Sequence, residues 1–143
     1  MSPEALKEHR VFRVDQRPLK KKKEVEVLAV TDLIGALVHY VDDGGENNLH
    51  THTADDAYWI VVHGEATFYG GDGDEVLATL GPGGTILIPR GVKYWFKKSG
   101  SEQAVVMRVW ASLPNTKSER VEFAPPSETI KELLTAGGAG AES

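Results

Sequence analysis

The chain has 143 residues, a formal net charge of -5 and no cysteine. That length suits one domain burying roughly two-thirds of the surface its unfolded chain exposes, and the lack of cysteine excludes disulfides, thiolate ligands and thiol nucleophiles together. The acidic balance supplies no long-range pull toward nucleic acid, no run approaches the roughly 18 apolar residues of a membrane helix, and the opening MSPEALKEHRVFR does not read as a signal peptide. A cytoplasmic protein without nucleic-acid or membrane partners is expected.

In chain order, valines alternate with polar residues in VFRVD (11–15) and KEVEVLAV (23–30), which predicts strands. DLIGALVHYV (32–41) is a longer, mostly apolar strand that ends at the turn DDGGENN. AYWIVVHG (57–64), EATFY (65–69) and EVLATL (75–80) continue the series, separated by glycine- and aspartate-rich turns. Pro89 and Gly91 divide TILIPRGVKYWF (85–96) into two strands, and AVVMRVWA (104–111) is the last. Short strands at this spacing, with no helical pattern between them, predict an all-β sandwich or barrel. The one helix expected is SETIKELL (127–134), with Ser127 as its cap and Glu128 in its first turn. The C-terminal segment, with Pro114, Pro125 and Pro126, is expected to run along the surface.

Chemistry concentrates in HTHTADDA, residues 50–57. Residues i and i+2 of a strand share a face, so His50 and His52 can enter one cavity and grip one ion through ring nitrogens.

Gly44, His50, His52 and Gly64 resemble the first motif of the cupin superfamily, and Gly83, Pro89 and Gly91 resemble its second. The resemblance runs from about Asp32 to Trp110. It implies a double-stranded β-helix, or jelly-roll barrel, at 32–111; the residue pattern adds N-terminal strands and an arm (1–31) before it and an extension with a short helix and a tail (112–143) after it. It also implies a divalent metal (iron, zinc, manganese or nickel), enzymes such as isomerases, cyclases, lyases and dioxygenases beside non-enzymatic binding proteins, and a homodimer.

Position by position, the chain departs from that pattern twice. The glutamate position holds Ala57, and the second-motif histidine is Tyr94. Asp56 can replace the carboxylate only if a bulge or loop turns it inward, since its parity opposes that of Ala57. Asp55 is the second choice. Tyr94 could coordinate as phenolate, bond to a ligand as phenol, or fill space. If Ala57 faces inward, so do Trp59 and His63, with Tyr94 and Phe96 opposite. Trp59, Tyr94 and Phe96 then line a pocket for a small acid, ketone or phenol, and Tyr94 and His63 are the proton-transfer candidates. Arg108 has an undetermined face; turned inward, it would need a carboxylate partner. A metal-dependent enzyme and a binding or sensory protein with reduced coordination remain in competition.

Overall fold

A computed structural model describes residues 8–123, and none of them forms a helix long and apolar enough to cross a membrane. The strands are β1 (Lys23–Val30), β2 (Ile34–Val41), β3 (His50–His52), β4 (Asp55–His63), β5 (Ala66–Gly70), β6 (Glu75–Leu80), β7 (Thr85–Ile88), β8 (Trp95–Lys98), β9 (Ala104–Ser112) and β10 (Arg120–Glu122). SETIKELL lies outside the described residues. Val11–Asp15, expected as a strand, is irregular; the arm instead anchors by packing Val14 and Leu19 against the outer face of the barrel.

One sheet has the order β1-β2-β9-β4-β7, antiparallel throughout. The facing layer consists of β6-β5-β8 and the ribbon β10-β3. A bridge between His50 and Tyr94 joins those two parts, with N–H···O bonds of 3.1 and 3.0 Å. Two antiparallel sheets closing over one core make a jelly-roll, or double-stranded β-helix.

Period-two patterning selects what enters that core. On β4, Asp55, Ala57, Trp59 and Val61 are buried, while Tyr58 between them is exposed. Phe68, Tyr94 and Phe96 meet them from the facing layer. Ring centroids at 5.1 Å for Trp59–Phe96, 5.2 Å for Phe68–Phe96 and 5.9 Å for Trp59–Tyr94 show aromatic rings in mutual contact. Gly64 makes the β4–β5 turn with φ of +71°, and a Cβ there would lie 2.2 Å from the Gln103 carbonyl oxygen. Only glycine satisfies both demands.

The arm covers part of the outer face. Arg17 lies 3.9 Å over the Tyr40 ring and forms ion pairs with Glu24 and Glu26. Gln103 clamps the Arg17 backbone by accepting its N–H and donating to its carbonyl. Beyond the arm's reach, Ile34, Tyr58 and Leu87 stay at the surface.

Candidate functional site

β3 is three residues long, and all three are buried. Its backbone is held between β10 on one side and the Tyr94 bridge on the other. His50 and His52 therefore project into the interior as their spacing predicts, with ring centroids 5.0 Å apart and planes at 85°. The Tyr94 ring is 4.5 Å from that of His50 and 6.3 Å from that of His52. Trp59 and Phe96 complete the same wall. Five of the expected residues are thus brought together.

His50 Nδ1 lies 2.6 Å from the Asn48 carbonyl oxygen, which can only accept, so Nδ1 carries the proton and Nε2 presents a lone pair. Asn48 is fixed in turn, because its side-chain oxygen accepts from Arg120 Nη2 at 2.7 Å. Burial pushes the His50 pKa from 6.5 to about 2, aided by the positive charge of Arg120. His52 is lowered to about 4, again by burial first and by Arg108 second, with Asp55 opposing. His39 on β2, inward beside Trp59 at 5.2 Å, is also held neutral by burial. Burial raises the Tyr94 phenol above its usual 10, although Arg108 and Arg120 act the other way.

Two expected residues lie elsewhere. Asp56 points outward, accepting from the Arg90 backbone N–H at 2.9 Å and from Arg90 Nη1 at 2.8 Å. Strand parity wins there, because β4 runs unbroken from Asp55 to Val61 and no bulge turns Asp56 inward. His63 has the parity of Trp59, but the register shifts between Val61 and His63. It sits at the far end of β4, 3.0 Å from the Gln103 carbonyl oxygen and 3.6 Å from Glu102. The structure therefore does not bring it to the imidazoles.

Asp55 and Arg108 take the interior places instead. Arg108 stands opposite Trp59 in the β4–β9 register and so shares its inward face. Its Nη2 is 3.6 Å from Asp55 Oδ2, and its guanidinium carbon lies 4.9 Å from the Trp110 ring centre. Asp55 accepts a hydrogen bond from the Ser112 hydroxyl and lies 3.9 Å from His52 Nδ1. The register, which period-two counting alone does not supply, was the missing signal for Arg108. His39 was readable from the parity of Leu37, His39 and Val41.

His50 Nε2, His52 Nε2, Trp59 Nε1, the Tyr94 hydroxyl and Arg108 Nε and Nη2 are all buried without a hydrogen-bond partner. Native interiors leave few such atoms unsatisfied, and here the Tyr94 hydroxyl has Trp59 and Arg108 beside it, so the cluster is a polar spot in the core that water or a polar ligand suits. The two unpartnered Nε2 atoms, of which that of His50 presents its lone pair, suit a metal ion. The rest of the set does not. Among the described residues no three histidine, cysteine, aspartate or glutamate side chains are grouped to hold one. Asp55 faces Arg108 and the Nδ1 side of His52, Tyr94 stays a phenol, and the buried guanidinium opposes a second cation nearby. A cation held firmly by protein groups alone does not fit these residues.

Buried neutral imidazoles link the fold to pH. The folded pKa values of His50 and His52 lie below the ordinary 6.5, so below that pH the unfolded chain binds protons that the folded chain excludes. Stability therefore rises with pH up to about 6.5 and is lost as pH falls from there toward 4. The urea midpoint is expected to drop steadily from pH 7 to pH 5. A flat profile over that window would contradict imidazoles buried in neutral form.

A family profile described as Cupin domain matches residues 37–111. No curated protein sequence matches the chain. Among solved structures, it is similar to an uncharacterized conserved protein with a double-stranded β-helix domain from Klebsiella pneumoniae, at 25% identity and TM-score 0.66, covering 81% of this chain and 100% of that one. An RmlC-like cupin protein from Desulfovibrio desulfuricans gives 20% identity and TM-score 0.60 over 74% and 96% of the two chains. The DMSP lyase DddQ from Ruegeria pomeroyi gives 23% and 0.59 over 75% and 54%. With the profile spanning more than half its length and the same barrel in its neighbours, this chain belongs to the cupin family.

Proposed function

We propose that this chain is a small-molecule-binding cupin, holding a compact organic ligand inside the barrel by hydrogen bonds rather than through a firmly bound metal. The observation that carries this reading is the cluster of buried, unpartnered polar atoms from His50, His52, Trp59, Tyr94 and Arg108. A ligand with two or three oxygens satisfies donors from the indole, phenol and guanidinium, while either imidazole accepts from a ligand hydroxyl. Aromatic walls of Trp59 and Phe96 favour a flat or partly apolar body.

Proton transfer finds less support. An efficient acid or base has a pKa near the working pH, whereas His50 and His52 lie at about 2 and 4 and the Tyr94 phenol is raised above 10. One observation favours a second reading, a metal-dependent isomerase, cyclase, lyase or dioxygenase acting on a small acid, ketone or phenol: two free Nε2 atoms face inward, one with its tautomer fixed by Asn48.

The two readings separate in one experiment. Protein purified from cells supplied with iron, zinc, manganese and nickel is expected to carry well under one equivalent of metal. Phenol, as a minimal aromatic probe, should bind equally before and after EDTA and more weakly to Tyr94→Phe. Stoichiometric metal lost with His50→Ala, together with probe binding abolished by EDTA, establishes the second reading and ends the first.

A further inference from the structure

Arg108 is 2% exposed and reaches its charge into the barrel from the middle of β9. A buried guanidinium is normally saturated, because each unmet N–H loses its water without replacement. Here neither Nε nor Nη2 has a partner within hydrogen-bond length, although the Tyr94 hydroxyl lies beside the guanidinium. These two atoms lie along one edge of the guanidinium plane, and their parallel N–H bonds match the two oxygens of a carboxylate.

Asp55 pairs with only one end of that edge, and loosely. Its Oδ2 stands 3.6 Å from Nη2, beyond hydrogen-bond length, and its Oδ1 accepts from the Ser112 hydroxyl, which holds the carboxylate back. The guanidinium is fixed as well, between the Trp110 ring at 4.9 Å and the Trp59 ring at 6.0 Å. The charges acting on the interior are mostly positive. Arg108, Arg120 and Lys23 all depress the buried histidines, and Asp55 alone acts in the opposite sense on His52. Glu122 is 3.5 Å from Arg120 on the outer ribbon.

We infer that the ligand is a compact carboxylate, its two oxygens gripped by the Nε–Nη2 edge of Arg108, with Tyr94, Trp59 and the two imidazoles facing the remainder of the molecule. This rests on the binding reading above and narrows it to one chemical class. Arg108 is then the residue that sets specificity, and Asp55 the group that holds the guanidinium in place between ligands.

Matched probes test the inference: formate, acetate and benzoate against formamide, acetamide and benzamide, titrated by NMR into the full chain. At least one acid is expected to bind ten-fold or more tightly than its amide. It should move the side-chain Nε–H signal of Arg108, identified by its absence from Arg108→Lys. Arg108→Lys keeps a cation beside Asp55 but loses the two-toothed edge, and should bind the acid at least ten-fold more weakly. Should Arg108→Lys fold poorly, the double variant Arg108→Met with Asp55→Asn removes both charges and serves the same purpose. Amides binding as well as acids, acid affinity surviving both variants, or no acid binding would each overturn the inference. Phenol held independently of EDTA alongside any of those results leaves the binding reading standing. EDTA abolishing phenol and acid binding together means the binding reading itself has failed.

Discussion

Arg108→Ala is expected to cost the barrel about 3–5 kcal/mol, the usual penalty for removing one member of a buried ion pair. Asp55 is the cause. It is 8% exposed, and its remaining polar neighbours are the Ser112 hydroxyl and a neutral His52. Without the guanidinium, Asp55 must either keep an unpaired charge in a buried place or swing toward solvent. Taking both charges away avoids that choice, so Arg108→Met with Asp55→Asn should regain most of the loss. Urea unfolding at neutral pH measures both variants against the native chain. A single substitution costing under about 1 kcal/mol would place Asp55 in water instead.

Trp59→Ala is expected to have an effect of similar size, about 3–5 kcal/mol, by opening a void at the centre of the core. Trp59 has no exposed surface and meets the rings of His39, Phe68, Tyr94 and Phe96 from the inward face of β4. No neighbour can close that gap, because each ring is already fixed by its own strand. Trp59→Phe separates packing from polarity: it keeps a ring but removes the buried indole N–H. That variant should fold with a smaller loss, while phenol binding weakens. Equal phenol affinity in Trp59→Phe would show that the indole N–H does not face the ligand.

The strands were legible wherever local pattern decides the structure. KEVEVLAV, DLIGALVHYV and AVVMRVWA form β1, β2 and β9 because alternation and branched side chains suit a sheet in any register. The glycine turns and the His-x-His pair were equally readable, since each depends only on neighbours in the chain. What escaped depends on partners distant in sequence. RVE at 120–122 becomes β10 only because β3 offers it an edge; one valine between two charged residues is too little to announce a strand. VFRVD alternates as a strand should, yet it has no neighbour to pair with and packs as an arm. Within the site, the parity argument already opposed Asp56, and the structure turns Asp56 toward Arg90. By the same count Asp55 shares the face of Ala57, and it is buried there beside Arg108. The register shift that removes His63 has no signature in the letters.

The strand carrying the imidazoles is also among the shortest of the barrel. β4 meets β9 along nearly its whole length, whereas β3 has three paired positions with β10 and, on its other side, the Tyr94 bridge and a bond from the Gly91 N–H to the His52 carbonyl. Cooperative opening begins where few contacts must break. Backbone amides of β3 should therefore exchange with deuterium well before those of β9. On the binding reading proposed above, the arrival and departure of a guest are then expected to follow fraying of that short ribbon rather than motion of the whole barrel.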